Sequence, residues 1–330
     1  MQPFSIDSFP SLLSLVKSYF RNQEYLIQKI ESIYPFAPVF KIELQNSEKK
    51  KKTLILKRTR TPLSQALSLQ QWLIELRKTG VNTVLADELN LANPFSVEND
   101  VWVFYPYIEG LPYQPQSQFI QGAAALLGKM HLLELTEQSL PEYEFPKETS
   151  IQSFEEDLRG IHKNLQGIGE NPNLHCGALS KMCENFPTLS KLLKGNYANL
   201  PLCVGTWDYK AINLVYKTPF EPVLVDPDSA GVMPRLFDFC LGVLLFHNES
   251  HDRALSEEEY RCFLKSYNTH IQFNETEREL FPQVMEFMYL DEVIWLLAND
   301  SAGWKKESSQ CRYLLDMISL GTNLNRYSLD

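Results

Sequence analysis

Carboxylate and carboxamide side chains cluster around two short apolar runs between Gly205 and Gly231. Asp208 is followed five positions later by Asn213, and Asp226 follows the apolar run 222–225. If "NLVY" and "PVLVD" are two strands of one hairpin that turns at "KTPFEP", their pairing sets Asn213 near Asp226. These oxygen donors suit Mg²⁺, which keeps waters and phosphate oxygens among its ligands. The pattern therefore predicts a magnesium site.

Asp208 lies in the loop before the first of these strands. A carboxylate there can orient a hydroxyl and accept its proton while the hydroxyl attacks a phosphoryl group. This order of a catalytic loop and a metal-binding Asp is that of a kinase, and Lys57, on an earlier strand, is placed to hold nucleotide phosphates.

Other interpretations of these residues are open. Asp208 and Asn213 both favour turns, so a simple Asx-type turn is the alternative for them. Lys57 taken alone is typical of a solvated lysine at the end of a strand. Asp228 either binds a second metal ion or caps the loop that follows.

The elements that must position these residues fall into two groups. "SIYPFAPVFKIEL" and "TLILKRT" predict a β-hairpin around the turn "QNSEKKKK", with Lys57 at the end of the second strand. "SQALSLQQWLIELRKTGV" predicts a helix that stops at Gly80, and "DVWVFYPYIEG" predicts a further strand. After Gly110 helical patterns dominate, with a break at "GIGENPN". We predict an α+β fold with a small β-rich lobe, residues 1–108, and a larger, mostly helical lobe, residues 109–330.

Charge and hydropathy limit the partners of this protein. A formal net charge of −10 and a pI near 5.2 argue against nucleic acid, and the basic run 49–52 is predicted to be a solvated hairpin tip. The N-terminus lacks a basic segment and a cleavage pattern typical of a secretion signal. The longest apolar run, 237–246, is too short to cross a membrane. We therefore expect a cytoplasmic protein with neither nucleic-acid nor membrane partners, and no stretch indicates a specific oligomer interface.

The same segments resemble a known family. "TWDYKAIN", "LVDPD" and "GVMPRLFD" are similar to the His-Gly-Asp-x-x-x-x-Asn, Ile-Asp-x-Asp/Glu and Gly-x-x-x-x-Asp motifs of the aminoglycoside phosphotransferase and choline kinase-like superfamily. These are small-molecule kinases with a bilobal protein-kinase-like fold, and the resemblance extends in order over nearly the whole chain.

The resemblance implies a role for each matching residue. Asp208 would be the catalytic base, Asn213 and Asp226 would bind Mg²⁺, and Lys57 would contact the α- and β-phosphates. Asp238 would accept backbone N–H bonds that hold the catalytic loop. Tyr105, Tyr107 and Ile108 would belong to an interlobe hinge against which the adenine or guanine packs. His131 would match a position in the helix that follows the hinge.

Several positions depart from the family pattern. Thr206 and Trp207 stand where the family has His and Gly before the catalytic Asp. The expected phosphate-covering loop, near "YPFAPVFKI", has no Gly, and "ALSLQQW" offers Gln70 and Gln71 where a Glu partner for Lys57 is expected.

The function expected from these features is an ATP- or GTP-dependent, Mg²⁺-requiring kinase. Its acceptor would be a hydroxyl of a small, amine-bearing and hence cationic molecule, with an aminoglycoside or spectinomycin-like antibiotic as the leading class. The alternatives are a metabolic kinase of the same fold, acting on choline, homoserine, methylthioribose or another sugar, and a catalytically silent nucleotide-binding pseudokinase. Acidic side chains and flat apolar walls of the helical lobe are candidates for binding a cation: Glu249, Asp252, Asp291, Glu292 and Asp300, with Trp295 and Trp304. Trp295 could instead point into the core.

Overall fold

The computed structural model describes residues 4–87, 89, 91–134, 140–146 and 151–329. The chain divides into two compact units. The first unit comprises Met1–Glu109 with Glu137–Leu140, and the second comprises Gly110–Thr136 and Pro141–Asp330.

The first unit is built on one antiparallel sheet with the strand order β1-β2-β3-β5-β4. Its helices and strands are α1 (Pro10–Asn22), β1 (Tyr25–Ser32), β2 (Val39–Asn46), β3 (Lys51–Thr59), α2 (Leu63–Lys78), β4 (Phe95–Val97) and β5 (Asp100–Pro106). The predicted hairpin is confirmed as β2 and β3, which pair around a turn at residues 47–50. Residues 33–38 form a loop rather than the start of a strand, and β1 before them was not predicted.

The two faces of this sheet carry different apolar side chains because neighbouring residues of a strand point to opposite sides. Phe40 and Phe104 join the larger cluster, into which α1 inserts Val16 and Phe20. Val103 and Tyr105 belong to the other face. The helix predicted before Gly80 is confirmed as α2, and Gly80 adopts a positive φ of 83° just beyond it, as expected for a glycine that ends a helix.

The second unit is mostly helical and contains two small two-stranded sheets, β6-β9 and β7-β8. Its elements are α3 (Ser117–His131), α4 (Ile151–Ile168), α5 (Pro172–Cys183), α6 (Phe186–Asn196), β6 (Leu202–Gly205), β7 (Leu214–Tyr216), β8 (Pro222–Leu224), β9 (Gly231–Pro234), α7 (Arg235–Leu245), α8 (Glu257–Tyr267), α9 (Glu275–Met288), α10 (Ile294–Asn299) and α11 (Ser309–Gly321). A π-helical turn, Tyr289–Val293, joins α9 to α10. The α+β class, a small antiparallel sheet followed by a mostly helical remainder, is confirmed.

The longest apolar run of the sequence, residues 237–246, is buried in the second unit. Every residue of α7 after Arg235 is buried, including Asp238. In the part of the chain that the structure describes, no helix is long and apolar enough to span a bilayer.

Candidate active site

Asp238 anchors the start of the loop that carries Asp208. Its carboxylate accepts hydrogen bonds from the backbone N–H of Thr206 at 3.1 Å and of Trp207 at 2.9 Å. His131 of α3 lies 3.0 Å from the same carboxylate through Nε2. These contacts confirm the structural role expected of Asp238, and they give a carboxyl group at 0% exposure the hydrogen-bond partners that a buried polar group requires.

Two further contacts fix the rest of this loop, residues 206–213. The Tyr209 hydroxyl donates to the carbonyl of Ala123 on α3 at 2.7 Å. The Ala211 N–H donates to the carbonyl of Phe246 at 2.8 Å. The loop is therefore held against α3 and the end of α7, so that Asp208 has a defined position.

Asn213 links Asp208 to the hairpin that follows. Its Nδ2 donates to the Asp208 carbonyl at 2.9 Å and to Asp208 Oδ2 at 3.1 Å. The predicted hairpin is confirmed as β7 and β8, in which Leu214 pairs with Leu224. The Val225 N–H donates to the Asn213 carbonyl at 3.0 Å. Because Asp226 directly follows Val225, this hydrogen bond brings Asp226 close to Asn213 in space.

The donor chemistry at this point fits Mg²⁺. Because the amide nitrogen of Asn213 is turned to Asp208, its amide oxygen faces away from that carboxylate. Among the residues that the structure describes, no group of three or more His, Cys, Asp or Glu side chains could hold a metal ion. Mg²⁺ commonly needs only one or two protein ligands, because waters and phosphate oxygens complete its coordination. An amide oxygen and a carboxylate are sufficient for such a site.

Lys210 is a site residue that the sequence analysis did not assign. Its Nζ lies 2.9 Å from Asp208 Oδ1 and 3.2 Å from Glu249 Oε1. Burial acts to lower the pKa of Lys210, but the two carboxylates outweigh it and hold the pKa above its ordinary value. Lys210 therefore stays a cation beside Asp208. Its position in the loop was visible in the sequence, but its distant partner Glu249 was not.

Two acids and two aromatic rings meet next to this loop. The Trp207 indole N–H donates to Glu292 Oε1 at 3.0 Å, and the Tyr143 hydroxyl donates to Asp291 Oδ2 at 3.4 Å. The rings of Tyr143 and Trp207 are 5.0 Å apart at 32°. Burial raises the pKa of Asp291 to about 6. Burial and then the neighbouring Asp291 charge raise the pKa of Glu292 to about 7.

The other acids proposed for cation binding have structural partners. Glu249 pairs with Lys210, and Asp252 accepts from Arg312 Nε at 3.1 Å. Asp300 accepts from the Gly303 N–H at 2.9 Å in a tight turn.

The two candidate tryptophans lie in opposite environments. Trp304 is buried and donates to the carbonyl of Leu297 at 2.9 Å, so it is a core residue and not an exposed wall. Trp295 is 58% exposed, which shows that the alternative of a core position for it is wrong.

The candidate nucleotide residues lie in the first unit. Lys57 is inside β3, opposite Val103 of β5, and not at the strand end as predicted. Tyr105 is buried, and its hydroxyl accepts from Gln70 Nε2 at 3.0 Å. Tyr107 follows β5 with 38% exposure, and Ile108 packs against the cluster that contains Tyr105.

Comparison with known proteins decides the family. Residues 42–278 match the model of APH, the phosphotransferase enzyme family. The chain belongs to this family. The expected resemblance and the expected enzyme class, a phosphotransferase acting as a small-molecule kinase, are thereby confirmed. No curated protein matches the chain.

Solved structures share the fold over nearly the full chain. A spectinomycin phosphotransferase, APH(9)-Ia, in complex with ADP and spectinomycin is 12% identical, with a TM-score of 0.62 over 98% of this chain and 95% of that one. An amicoumacin kinase, hAmiN, in complex with AMP-PNP, Ca²⁺ and Ami is 13% identical, with a TM-score of 0.58 over 95% and 93%. A microcompartment-associated aminopropanol kinase is 11% identical, with a TM-score of 0.58 over 95% and 97%. At these identities the likeness shows the protein-kinase-like fold.

Proposed function

We propose that this phosphotransferase moves the γ-phosphoryl group of ATP or GTP to a hydroxyl of a small, amine-bearing acceptor, with Mg²⁺ as its metal ion. The observation that carries the proposal is the fixed Asp208 carboxylate. Lys210 binds its Oδ1 at 2.9 Å and Asn213 binds its Oδ2 at 3.1 Å, on a loop anchored to Asp238.

Asp208 is the proposed base. Each carboxylate oxygen has a second lone pair, so Asp208 can accept the proton of an acceptor hydroxyl while it keeps both existing hydrogen bonds. The acceptor oxygen then forms a bond to the γ-phosphorus, the bond from that phosphorus to the bridging oxygen breaks, and the nucleoside diphosphate leaves. The proton on Asp208 passes to solvent.

Asn213 and Asp226 are the proposed Mg²⁺ ligands, and Asp228 is the candidate for a second ion. When bound, Mg²⁺ would neutralise charge on the phosphate oxygens. In the first unit, Lys57 is the proposed phosphate-binding residue, and Tyr107 and Ile108 are the proposed contacts of the base. Tyr105 is buried next to Ile108 with its hydroxyl bonded to Gln70, and we propose that it supports these contacts from below. We further propose that residues 1–108 and 109–330 are the nucleotide-binding and catalytic lobes.

The surroundings of Asp291 and Glu292 support an amine on the acceptor. Both carboxyl groups have neutral donors as their hydrogen-bond partners, and the flat rings of Tyr143 and Trp207 lie beside them. An alkylammonium group would supply the missing positive charge and would also be attracted to the aromatic faces.

Two classes of acceptor combine a hydroxyl with an amine. Aminoglycoside-type antibiotics are the first class, and an enzyme that phosphorylates them would confer antibiotic resistance on its host. Amino alcohols are the second class, which the carboxyl pair would bind equally well. The proteins of similar fold include kinases named for spectinomycin, amicoumacin and aminopropanol, so the fold is compatible with either class.

A coupled assay of nucleoside diphosphate release tests the proposal. The acceptor panel would hold aminoglycosides, spectinomycin, aminopropanol, choline and, as acceptors without a cationic amine, methylthioribose and other sugars, each with ATP or GTP and Mg²⁺. We expect turnover on an amine-bearing acceptor that is lost in Asp208→Ala. Turnover restricted to the acceptors without an amine would contradict the assignment of Asp291 and Glu292. Mg²⁺-independent nucleotide binding with no turnover would favour a pseudokinase. A cytoplasmic location stays a prediction from the sequence.

A further inference from the structure

Lys210 is unusual because it is a largely buried lysine shared by two carboxylates. Its side chain is 13% exposed, and its Nζ lies 2.9 Å from Asp208 Oδ1 and 3.2 Å from Glu249 Oε1. Lysine is almost never buried without a charged partner. One carboxylate would suffice to neutralise it, so the second partner, Glu249, calls for an explanation.

Glu249 is held in place by an unusual backbone conformation and by α11. Its φ is +63°, in the left-handed region that non-glycine residues rarely adopt. Its N–H donates to Gln310 Oε1 at 3.1 Å, and Gln310 Nε2 donates to Asn248 Oδ1 at 2.8 Å. The surrounding structure therefore maintains a strained conformation, and such positions are concentrated at functional sites.

We propose that Glu249 is a positioning residue that acts through Lys210 on the catalytic carboxylate of Asp208. This inference rests on the proposed function, in which Asp208 accepts the proton. Glu249 holds the Lys210 ammonium together with Asp208, so that the ammonium approaches Asp208 Oδ1 from a fixed direction. Asn213 holds the other oxygen, Oδ2. The carboxylate is thereby prevented from rotating, and the lone pairs that can receive the proton keep one orientation.

A double-mutant cycle tests the proposal on the full chain. Glu249→Gln keeps the size and the acceptor oxygen but removes the charge, and Lys210→Met removes the ammonium. We expect Glu249→Gln to lower kcat by about tenfold, with the KM values of nucleotide and acceptor unchanged, and Lys210→Met to lower kcat by about a hundredfold. If Glu249 acts through Lys210, adding Glu249→Gln to Lys210→Met changes kcat no further.

Matched variants separate this role from general stability. Glu257→Gln is the same exchange on the exposed face of α8, where Glu257 pairs with Arg261, and should leave kcat unchanged. Lys210→Arg retains the charge and replaces Lys210→Met in the cycle if thermal unfolding shows that Lys210→Met does not fold. The kcat of Lys210→Arg should lie between those of the wild type and Lys210→Met. Adding Glu249→Gln to Lys210→Arg should lower kcat again.

The outcomes distinguish this inference from the proposed function. Additive losses in the cycle, or equal losses from Glu249→Gln and Glu257→Gln, would overturn the positioning role and leave the kinase function intact. The proposed function, and the positioning role with it, would be overturned if the wild-type protein showed no Asp208-dependent transfer of phosphate to an acceptor or to water.

Discussion

At the residue scale, Trp207 is one of the positions where this chain departs from the family pattern. Its φ is +57°, a conformation that suits the glycine of the pattern and strains a tryptophan. The strain, on the order of 1 kcal/mol, is offset by the hydrogen bond to Glu292 and by the contact with Tyr143. The indole therefore takes the place of a glycine in order to form one wall beside the carboxyl pair.

Trp207→Phe should weaken acceptor binding selectively. This exchange keeps an aromatic ring but removes the N–H that donates to Glu292. Glu292 is then no longer oriented, and the lost hydrogen bond costs about 1 kcal/mol of acceptor binding. We expect the KM of the acceptor to rise about fivefold and the KM of the nucleotide to stay unchanged. Steady-state kinetics with each substrate varied in turn measures both. Trp207→Gly, which relieves the strain but removes the wall, should raise the acceptor KM further. Equal changes in both KM values would point to a general loosening of the loop.

Acceptor binding should also depend on pH. The pKa of Asp291 is about 6 and that of Glu292 is about 7, so both carboxyl groups lose their protons and gain negative charge as the pH rises from 6 to 8. A cationic acceptor should then bind more tightly, with a KM that falls about fourfold between pH 6.5 and pH 7.5 and levels off above pH 8. In Glu292→Gln the acceptor KM should change less with pH. The change that remains should lie near pH 6, where Asp291 titrates. A wild-type KM that is constant from pH 6 to 8 would exclude these groups from amine binding.

At the element scale, the junction of β6 with α7 fixes the loop that carries Asp208. A methyl group at Gly205, the last residue of β6, would lie 2.6 Å from the carboxyl carbon of Asp238 and 2.8 Å from the Met233 sulfur. A methyl group at such distances would force β6 and α7 apart. The backbone φ of Gly205 is one that any residue can adopt, so the need for glycine comes from space alone. The absence of a side chain is needed here for close approach, since Asp238 must reach the loop amides.

Gly205→Ala should therefore reduce both stability and activity. We expect a loss of about 2 kcal/mol in the free energy of unfolding and a fall in kcat of at least about tenfold, because Asp238 can no longer hold the loop in place. Gly177→Ala is the control: Gly177 lies in α5 with nothing within 4 Å of the added methyl group, so the exchange should be neutral or stabilising. Denaturant unfolding measures both variants. Similar effects from the two would contradict the role of close packing at β6.

The start of α8 should contribute a pH-dependent part of the stability. Burial acts to raise the pKa of Glu259, but hydrogen bonds from Arg253 and from the Ser256 N–H outweigh it and hold the pKa at about 2. This contribution is present above pH 4.5, the ordinary value, and is lost as the pH falls from 4.5 toward 2. Ser256→Ala, which breaks the capping box, should cost about 1 kcal/mol at neutral pH. Unfolding of Glu259→Gln should show a weaker decline in stability with acid, and an unchanged decline would contradict the assignment.

At the scale of the whole molecule, bound nucleotide should stabilise the protein most strongly as its Mg²⁺ complex. A ligand at a hundred times its Kd raises the free energy of unfolding by about 2.7 kcal/mol. We expect this shift with ATP or GTP and Mg²⁺, a smaller one without Mg²⁺, and no Mg²⁺ dependence in Asp226→Ala. Lys57→Met should weaken the shift in either case, while Asp208→Ala should retain it, because the proposed role of Asp208 concerns the acceptor and not the nucleotide. A full Mg²⁺-dependent shift in Asp226→Ala would contradict the proposed metal site.

The sequence by itself determined the features that are written in neighbouring residues. The hairpin of β2 and β3, the helix ending at Gly80 and the hairpin after Asn213 follow from periodicity and turn residues over short spans. The order of Asp208, Asn213 and Asp226 pointed to a phosphotransferase for the same reason, because a loop and the hairpin after it bring these positions close together whatever the rest of the chain does.

The tertiary structure alone decided which distant side chains surround that loop. Trp207 and Glu292 are 85 positions apart, and Lys210 and Glu249 are 39 apart. Local patterns identified Glu249 and Glu292 only as members of a set of acids, in which Asp252 and Asp300 turned out to have structural partners. The reason is physical: which helix face meets the loop depends on how the whole helical unit packs, and many side chains separated along the chain determine that packing together.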